Sequence, residues 1–335
     1  ARGICWDTLP YPTISKSHTI DGSGTGVFTS NITGLKPSTK YYVRAYATSA
    51  AGTAYGNQDT FATLAPDKSF SVAAGKYVRF SPGNLQWSFF NGGNSPTTHA
   101  VAGNGTAAGT WRFAPHQWDT IGYNNIMNLI PGSGWIDLFG WGTSGYNNKY
   151  PYMTSKVVTD YVVSNIGGTY YDWGVYNAIY NPSTNTTDAP RTWRTPTKDE
   201  WTYLLKTRAT PSGIRYAKAT VHGVCGLIIV PDNWNSSIYT LDSANCNNAT
   251  FESNLVNATH WANLEAAGCV FLPAGGERSG TTFIDNIGSV GIYWSTTYSG
   301  SYEAYVMSFS SDFQSTNGDV LISWGFSVRL VKDVQ

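Results

Sequence analysis

The chain has 335 residues, more than the roughly 250–300 over which a single hydrophobic core extends, and it balances 21 basic against 21 acidic side chains. No basic stripe is present to neutralise phosphates or headgroups, and no apolar run reaches the ~18 residues of a membrane helix, so nucleic acid and direct membrane insertion are set aside. Only 13% of residues are charged while 15% are aromatic and 35 are glycine, a balance that favours short strands, turns and large amphipathic side chains on an extracellular surface.

Residues 1–64 alternate and turn like an antiparallel β module. The segments "GICWDT", "GVFTSNITGL", "KYYVRAYATS" and "YGNQDTFAT" read as strands separated by Pro, Gly and Ser clusters. The run from Gly34 to Gly56 resembles the later strands of a fibronectin type III or immunoglobulin-like module. There Leu35, Pro37 and Tyr41 or Tyr42 stand where such modules turn into an F-type strand, with a tyrosine-corner hydrogen bond expected. A full sandwich needs about seven strands over ~100 residues, so this β-sandwich module is expected to be incomplete, with its first strands either truncated or supplied by another chain through strand exchange.

Residues 65–335 form a second domain of α+β class. Its first helix is expected within "TPTKDEWTYLLKTRA", where Thr197 and Glu200 have capping-box spacing and Trp201, Leu204 and Leu205 form an apolar stripe. A second, "THWANLEAAG", places Trp261 and Leu264 on one face and ends at Gly268. Both should pack on mostly antiparallel strands drawn from "YVRFSPGNLQW", "GLIIVP", "CVFLPAGG", "GIYWSTT", "EAYVMSFS" and "GFSVRLVK". Between residues 90 and 190 lie long Gly, Asn, Thr and Tyr-rich stretches, and the aromatics of "GWIDLFGWGTSGY" and "YYDWGVYNAI" are expected to fill an irregular core.

Cys5, Cys225, Cys246 and Cys269 form no metal-ligand spacing. Cys225 and Cys269 sit in apolar strand-like runs and read as buried thiols, while Cys246, in a polar loop, is free to pair with either. His18, His99, His116, His222 and His260 are scattered outside any HExxH or paired-carboxylate pattern. His116 reads as a loop or core hydrogen-bonding residue, and Glu277 with Arg278 as a structural charged pair at a loop mouth.

In order, "RFSPGNLQW", "WRFAPHQWDTIG", "GWIDLFGWGTSG", "WRTPTKDEWTYLL", "YAKATVHGVCGLIIVPDNW", "LEAAGCVFLPAGGER", "GIYWSTT" and "GFSVRLVK" resemble the major paralogous domain (FISUMP) family of bacterial surface proteins. That family is related in fold to the formylglycine-generating-enzyme and C-type lectin-like groups. The resemblance covers about residues 68–335. It implies a C-type lectin-like fold with its N- and C-terminal strands paired and long loops presenting one face. Formylglycine-generating enzymes use cysteines near the domain end to hold copper. Here no thiol follows Cys269, so no catalytic residue and no cofactor is expected. "PDNW" at 231–234 only echoes the calcium-binding triplets of true lectins, and no metal site is assigned.

Residues 289–324 are rich in Ser, Tyr, Gly, Asn and Asp, interrupted by Phe313, Leu321, Ile322 and Trp324, which is the chemistry of an antibody paratope. Period-two alternation in "EAYVMSF" sets Tyr305, Met307 and Phe309 on one face and Val306 and Ser308 on the other, taken as outward. The expected ligand-binding residues are Ile292, Tyr298, Ser299, Ser301, Tyr302, Val306, Ser308, Ser310, Asp312, Phe313, Asp319, Leu321, Ile322, Ser323 and Trp324. Family members commonly carry polar residues where this chain has Val320, Leu321 and Ile322. That departure is similar to the variable proteins of diversity-generating retroelements, in which randomised AAC or AAT codons reach Ser, Tyr, Thr, Asp, Gly, Val, Leu, Ile and Phe but not Trp, Met, Gln, Glu or Lys. The expectation is a non-enzymatic adhesin at the bacterial cell surface, or on a phage particle, binding a protein or glycan. A structural subunit of a fimbria or surface layer is the alternative, ahead of a formylglycine-generating-type enzyme. Any signal or anchor is expected outside these residues.

Overall fold

The computed structural model describes residues 1–36, 39–63, 68–88, 110–125, 134–151, 160–279 and 283–334. The chain divides into two compact units, Ala1–Asp67 and Lys68–Gln335. Pro37 of the expected corner, the junction at 64–67 and much of the Gly/Asn/Thr-rich stretch after residue 88 lie outside the described residues.

The first unit is one antiparallel sheet of four strands: β1 (Arg2–Asp7), β2 (Ser17–His18), β3 (Lys40–Ser49) and β4 (Gly52–Ala62), ordered β2-β1-β3-β4. The corner hydrogen bond forms at Tyr41, whose buried phenol oxygen accepts the Lys36 N–H at 3.0 Å. The expected strand "GVFTSNITGL" is irregular instead. Its Val27 is fully exposed, so its alternating apolar residues have no sheet face to fill.

The second unit is mostly β with a few short helices. Its strands are β5 (Phe70–Ala73), β6 (Lys76–Phe80), β7 (Leu85–Ser88), β8 (Thr110–Phe113), β9 (Trp135–Ile136), β10 (Ile179–Asn181), β11 (Thr186–Asp188), β12 (Tyr216–Val221), β13 (Val224–Ile229), β14 (Leu255–Val256), β15 (Val270–Pro273), β16 (Glu277–Ser279), β17 (Phe283–Asp285), β18 (Gly291–Gly300), β19 (Glu303–Phe309), β20 (Gln314–Leu321) and β21 (Val331–Val334). Among the described residues its α-helices are α1 (Trp173–Tyr176), α2 (Lys198–Thr202) and α3 (Ala258–Ala266). The strands form sheets ordered β11-β10-β8-β7-β9, β14-β12-β13-β15, β16-β17, β18-β19-β20 and β21-β6-β5, so the unit's last strand pairs with one of its first. Among the described residues no helix is long and apolar enough to cross a membrane.

Helix α2 begins as its capping box dictates: the Thr197 hydroxyl accepts the Glu200 N–H at 3.1 Å and the Glu200 carboxylate accepts the Thr197 N–H at 2.9 Å. Its apolar stripe buries Trp201, Leu204 and Leu205, and a π-helical turn at Tyr203–Thr207 closes it. Helix α3 is capped by Asn257 and ends at Gly268, whose φ of +93° is the left-handed geometry glycine adopts readily. The segment "GFSVRLVK" is not one strand. Residues 325–327 bridge singly to Arg278, Phe139 and Tyr293 before β21 starts at Val331, so this stretch threads between sheets.

That threading places Arg329, fully buried, at a junction of three distant segments. Its guanidinium donates to Asn84 at 3.4 Å and to Gln117 at 2.8 Å. Asn84 donates in turn to the Tyr293 hydroxyl, and the Gln117 amide to Glu265. A second buried arginine, Arg208, is held by Asp232 at 2.7 Å and by the carbonyls of Leu204, Arg215 and Val230. Buried ions of this kind specify register, because an unpartnered charge there would be costly.

Candidate recognition surface

The three-stranded sheet β18-β19-β20 carries the residues singled out from the sequence, and it is covered on both faces. Ile292, Trp294, Ala304 and Val306 pack into one core cluster with Trp141 and Phe326. Tyr293, Met307 and Phe309 pack into another with Trp201 of α2. Alternation in "EAYVMSF" therefore sorts side chains between two cores rather than between core and water. Val306 and Ser308, expected outward, are buried, as is Ile292.

The same sheet separates the remaining residues. In register, Glu303 stands opposite Leu321 at one end of β19 and Phe309 opposite Gln314 at the other. Six residue steps place these ends roughly 20 Å apart. Ser310, Asp312 and Phe313 belong to the far turn, where Phe313 is 38% exposed, Ser310 is buried and donates to Asp312 at 2.5 Å, and the Gln314 N–H donates to Asn247 at 2.7 Å. They do not join the residues at the near end, and a single face holding all fifteen is not formed.

At the near end, Ser301 and Tyr302 make a two-residue turn between Gly300 and Glu303, with φ of +53° and +64°. Positive φ at both central residues is the turn geometry that matches strand twist, and Asn-Gly adopts it most readily; a serine and a tyrosine adopt it at a cost. Tyr302 is 41% exposed there. Its N–H donates to the Tyr298 hydroxyl at 3.0 Å, and its carbonyl accepts the Ile322 N–H at 3.1 Å. Ser299 donates to Asp319 across the strands. Tyr298 is fixed from below by stacking on buried Trp141 at 5.7 Å, and its N–H donates to Asn165 at 2.8 Å.

The apolar run before the final segment divides residue by residue. Leu321 is 41% exposed, while Ile322 is fully buried and its carbonyl accepts the Trp141 N–H at 3.0 Å. Val320 and Trp324 are half-buried against the same core cluster. Ser323 is half-buried, its carbonyl accepting the Tyr161 hydroxyl at 3.5 Å. Ile322 is thus a core residue, a correction to its reading as a contact. The surface that remains is Tyr298, Ser299, Ser301, Tyr302, Asp319, Leu321, Ser323 and Trp324, flanked by Asn165 and exposed Val163, which the sequence reading did not single out.

The groups considered for chemistry are dispersed. Cys269 is buried and its thiol pKa is pushed far up by desolvation, the opposite of what a nucleophile or metal ligand needs. Cys5 is buried, Cys225 half-buried and Cys246 exposed, and none of the four is in a disulfide. His116 is exposed, 3.1 Å from Asp119, and stacks on Trp118. Glu277 and Arg278 do not meet: the first accepts from Asn286 at 2.9 Å, and the second is buried and donates to the Leu138 carbonyl. Adjacent residues on a strand point to opposite faces, which is why they cannot pair. Asp232 of "PDNW" is held by Arg208. Among the described residues no group of three His, Cys, Asp or Glu side chains is placed to hold a metal ion.

Among the described residues two buried carboxyls have no salt bridge. Asp172 caps α1 and accepts from the Gly174 N–H and from the Thr195 N–H and hydroxyl; burial raises its pKa to about 7. Asp137 exchanges hydrogen bonds with Asn125 and is raised by burial to about 6. Both organise loops. Compared with family models, curated proteins and solved structures, the chain matches none.

Proposed function

We propose that this protein is a non-enzymatic surface adhesin whose second unit has a C-type lectin-like architecture and binds a protein or glycan through the near end of the β18-β19-β20 sheet. The observation that carries the reading is the Ser301-Tyr302 turn. Two non-glycine residues in left-handed conformation hold an exposed tyrosine beside exposed Leu321, on a sheet anchored in core on both faces. Local strain on a rigid mount is what a preorganised contact surface requires. The pairing of β21 with β6 fits the lectin-like reading, since that fold brings its terminal strands together.

Diversification by a retroelement is supported by the kind of residue at this end. Tyr298, Ser299, Ser301, Tyr302, Asp319, Leu321 and Ser323 are all reachable from randomised AAC or AAT codons, whereas Met307 and half-buried Trp324 are not. A reverse-transcriptase gene and a template repeat beside the reading frame would support it, and sequenced neighbouring DNA without them would end it.

Binding is tested on glycan and host-protein arrays with the wild type and with Tyr302→Ser and Leu321→Ser. Capture lost in both variants, with thermal unfolding unchanged, is the expected result. A ligand held equally by all three proteins would place recognition elsewhere. A structural-subunit role is favoured by one feature: among the described residues the eleven-residue β4 is an edge strand of the first unit, a template for strand addition. A monodisperse monomer at high concentration would count against it.

A further inference from the structure

Aromatics of the Gly-rich loops do not all fill the core as their composition suggests. Tyr146, Tyr170, Tyr171 and Tyr176 meet one another at the edge of the core, Tyr171 packing against it and Tyr170 the most exposed. Tyr146 lies 5.3, 5.1 and 5.3 Å from Tyr170, Tyr171 and Tyr176, and Tyr170 lies 5.7 Å from Tyr176. None of the four is buried, and Tyr170 is 45% exposed. All four of these ring pairs are edge-to-face or tilted rather than stacked, which leaves ring faces open for contact.

The cluster is built on fixed backbone. Asp172, Trp173 and Gly174 beneath it are buried, the Ser144 hydroxyl donates to the Tyr170 carbonyl at 2.6 Å, and Asn177 donates to the Ser144 carbonyl at 3.0 Å. Arg191 enters from the next loop. Its N–H donates to the Gly174 carbonyl at 3.0 Å, its φ is +69°, and its guanidinium lies 5.3 Å from the Tyr170 ring centre. Left-handed backbone is uncommon for a bulky residue, and here it sets the guanidinium against the Tyr170 ring. Asn147 and Asn148 are also left-handed, and Asn147 donates to the Tyr171 hydroxyl at 3.2 Å.

What is left unused defines the ligand. Among the described residues, the hydroxyls of Tyr146, Tyr170 and Tyr176 have no protein hydrogen-bond partner, and no carboxylate pairs with Arg191. Aromatic faces suit the C–H face of a sugar ring, phenol and amide groups suit its hydroxyls, and an unpaired guanidinium suits a carboxylate bidentately. A cationic ligand would meet Arg191 as a like charge. A purely apolar ligand would strip water from three hydroxyls and return no hydrogen bond.

We infer that Tyr146, Tyr170, Tyr171, Tyr176 and Arg191 form a second binding site, distinct from the hairpin end, that takes a carboxylate-bearing pyranose of an acidic glycan. The test titrates the whole chain with 3′-sialyllactose and with a galacturonate trisaccharide, using lactose as the neutral control, by calorimetry at low and high salt. At least one acidic probe should bind, more weakly at high salt. Arg191→Gln should weaken it about 10-fold or more, as loss of a charge-assisted pair does. Tyr170→Ala should abolish binding and Tyr170→Phe weaken it, while Tyr302→Ser leaves it unchanged. The inference is overturned if neither acidic probe binds by about 10 mM, if lactose binds as well, if Arg191→Gln has no effect, or if a proline-rich peptide occupies the cluster instead. Because Tyr302→Ser separates the two surfaces, failure here and failure of the hairpin reading are told apart.

Discussion

Leu321 and Ile322 are neighbours of nearly equal volume, and the structure assigns them opposite fates. Ile322 is 0% exposed in the cluster that holds Trp141, Trp294 and Phe326, with its carbonyl tied to the Trp141 N–H. Truncation to alanine removes three carbons from a packed site that can close only in part, a loss of about 3 kcal/mol within a range of about 2–5. For a unit of this size that lowers the melting temperature by about 6 °C or more. Leu321, 41% exposed, gives up much less apolar burial, and Leu321→Ala should cost under about 1 kcal/mol. Tryptophan fluorescence during thermal or urea unfolding is the suitable assay, because Trp6 is the one tryptophan of the first unit while twelve of the thirteen report on the second. Equal destabilisation by the two variants, or a larger loss at Leu321, would refute the placement of the sheet end and with it the proposed binding edge.

The hairpin turn should be improvable at the expense of its tip: Ser301→Asn with Tyr302→Gly relieves two unfavourable left-handed residues and should raise stability by up to about 1 kcal/mol while removing the exposed ring, measured by chemical denaturation beside ligand capture. Arg329→Met leaves Asn84 and Gln117 short of a buried donor and should cost about 2–4 kcal/mol; in a double-mutant cycle with Gln117→Leu the two losses should be less than additive. Asp172 and Asp137 have folded pKa values of about 7 and about 6, above the ~3.9 of an unfolded aspartate. The native state therefore holds more protons between about pH 4 and 7, so their contribution to stability is full below pH 4 and is lost as pH rises through the folded values. Asp172→Asn, which keeps an acceptor for Gly174 and Thr195, should flatten that slope; an unchanged slope would contradict it. In the native protein a thiol reagent should modify exposed Cys246 first and reach Cys5 and Cys269 only on unfolding.

Local chemistry was readable where one residue pattern has one physical solution. Thr197 and Glu200 specify a capping box, Gly268 ends α3, and a tyrosine after Leu35 closes the corner of the first unit. The binding edge was harder to read because period-two alternation records that a strand has two faces, not what covers them. With α2 on one side of β19 and the Trp141 segment on the other, Val306 and Ser308 are buried along with Met307. Chain proximity misled in the same region. Phe313 and Tyr302 are close in sequence, yet an antiparallel hairpin carries one to the far turn and leaves the other at the near one.

The long aromatic loops show the same limit from the other direction. Trp141, Trp173 and Phe139 enter the core, as a glycine-spaced aromatic run suggests, while Tyr146, Tyr170, Tyr171 and Tyr176 do not. The phenol hydroxyl bears on that division. A buried tyrosine needs a hydrogen-bond partner in the interior, as Tyr293 finds in Asn84 and the Pro273 carbonyl, and these loops supply one only to Tyr171. Phenylalanine fills the irregular core without polar cost and Trp141 does so with its indole N–H on the Ser295 carbonyl, whereas the indole N–H of buried Trp173 has no partner among the described residues; Tyr146, Tyr170, Tyr171 and Tyr176 are left outside that core. Both proposed binding surfaces rest on that division. In one, Tyr298 stacks on buried Trp141; in the other, Tyr146 joins Tyr170, Tyr171 and Tyr176 beside the buried segment 172–174, and the hydroxyls of Tyr146, Tyr170 and Tyr176 remain available to a ligand.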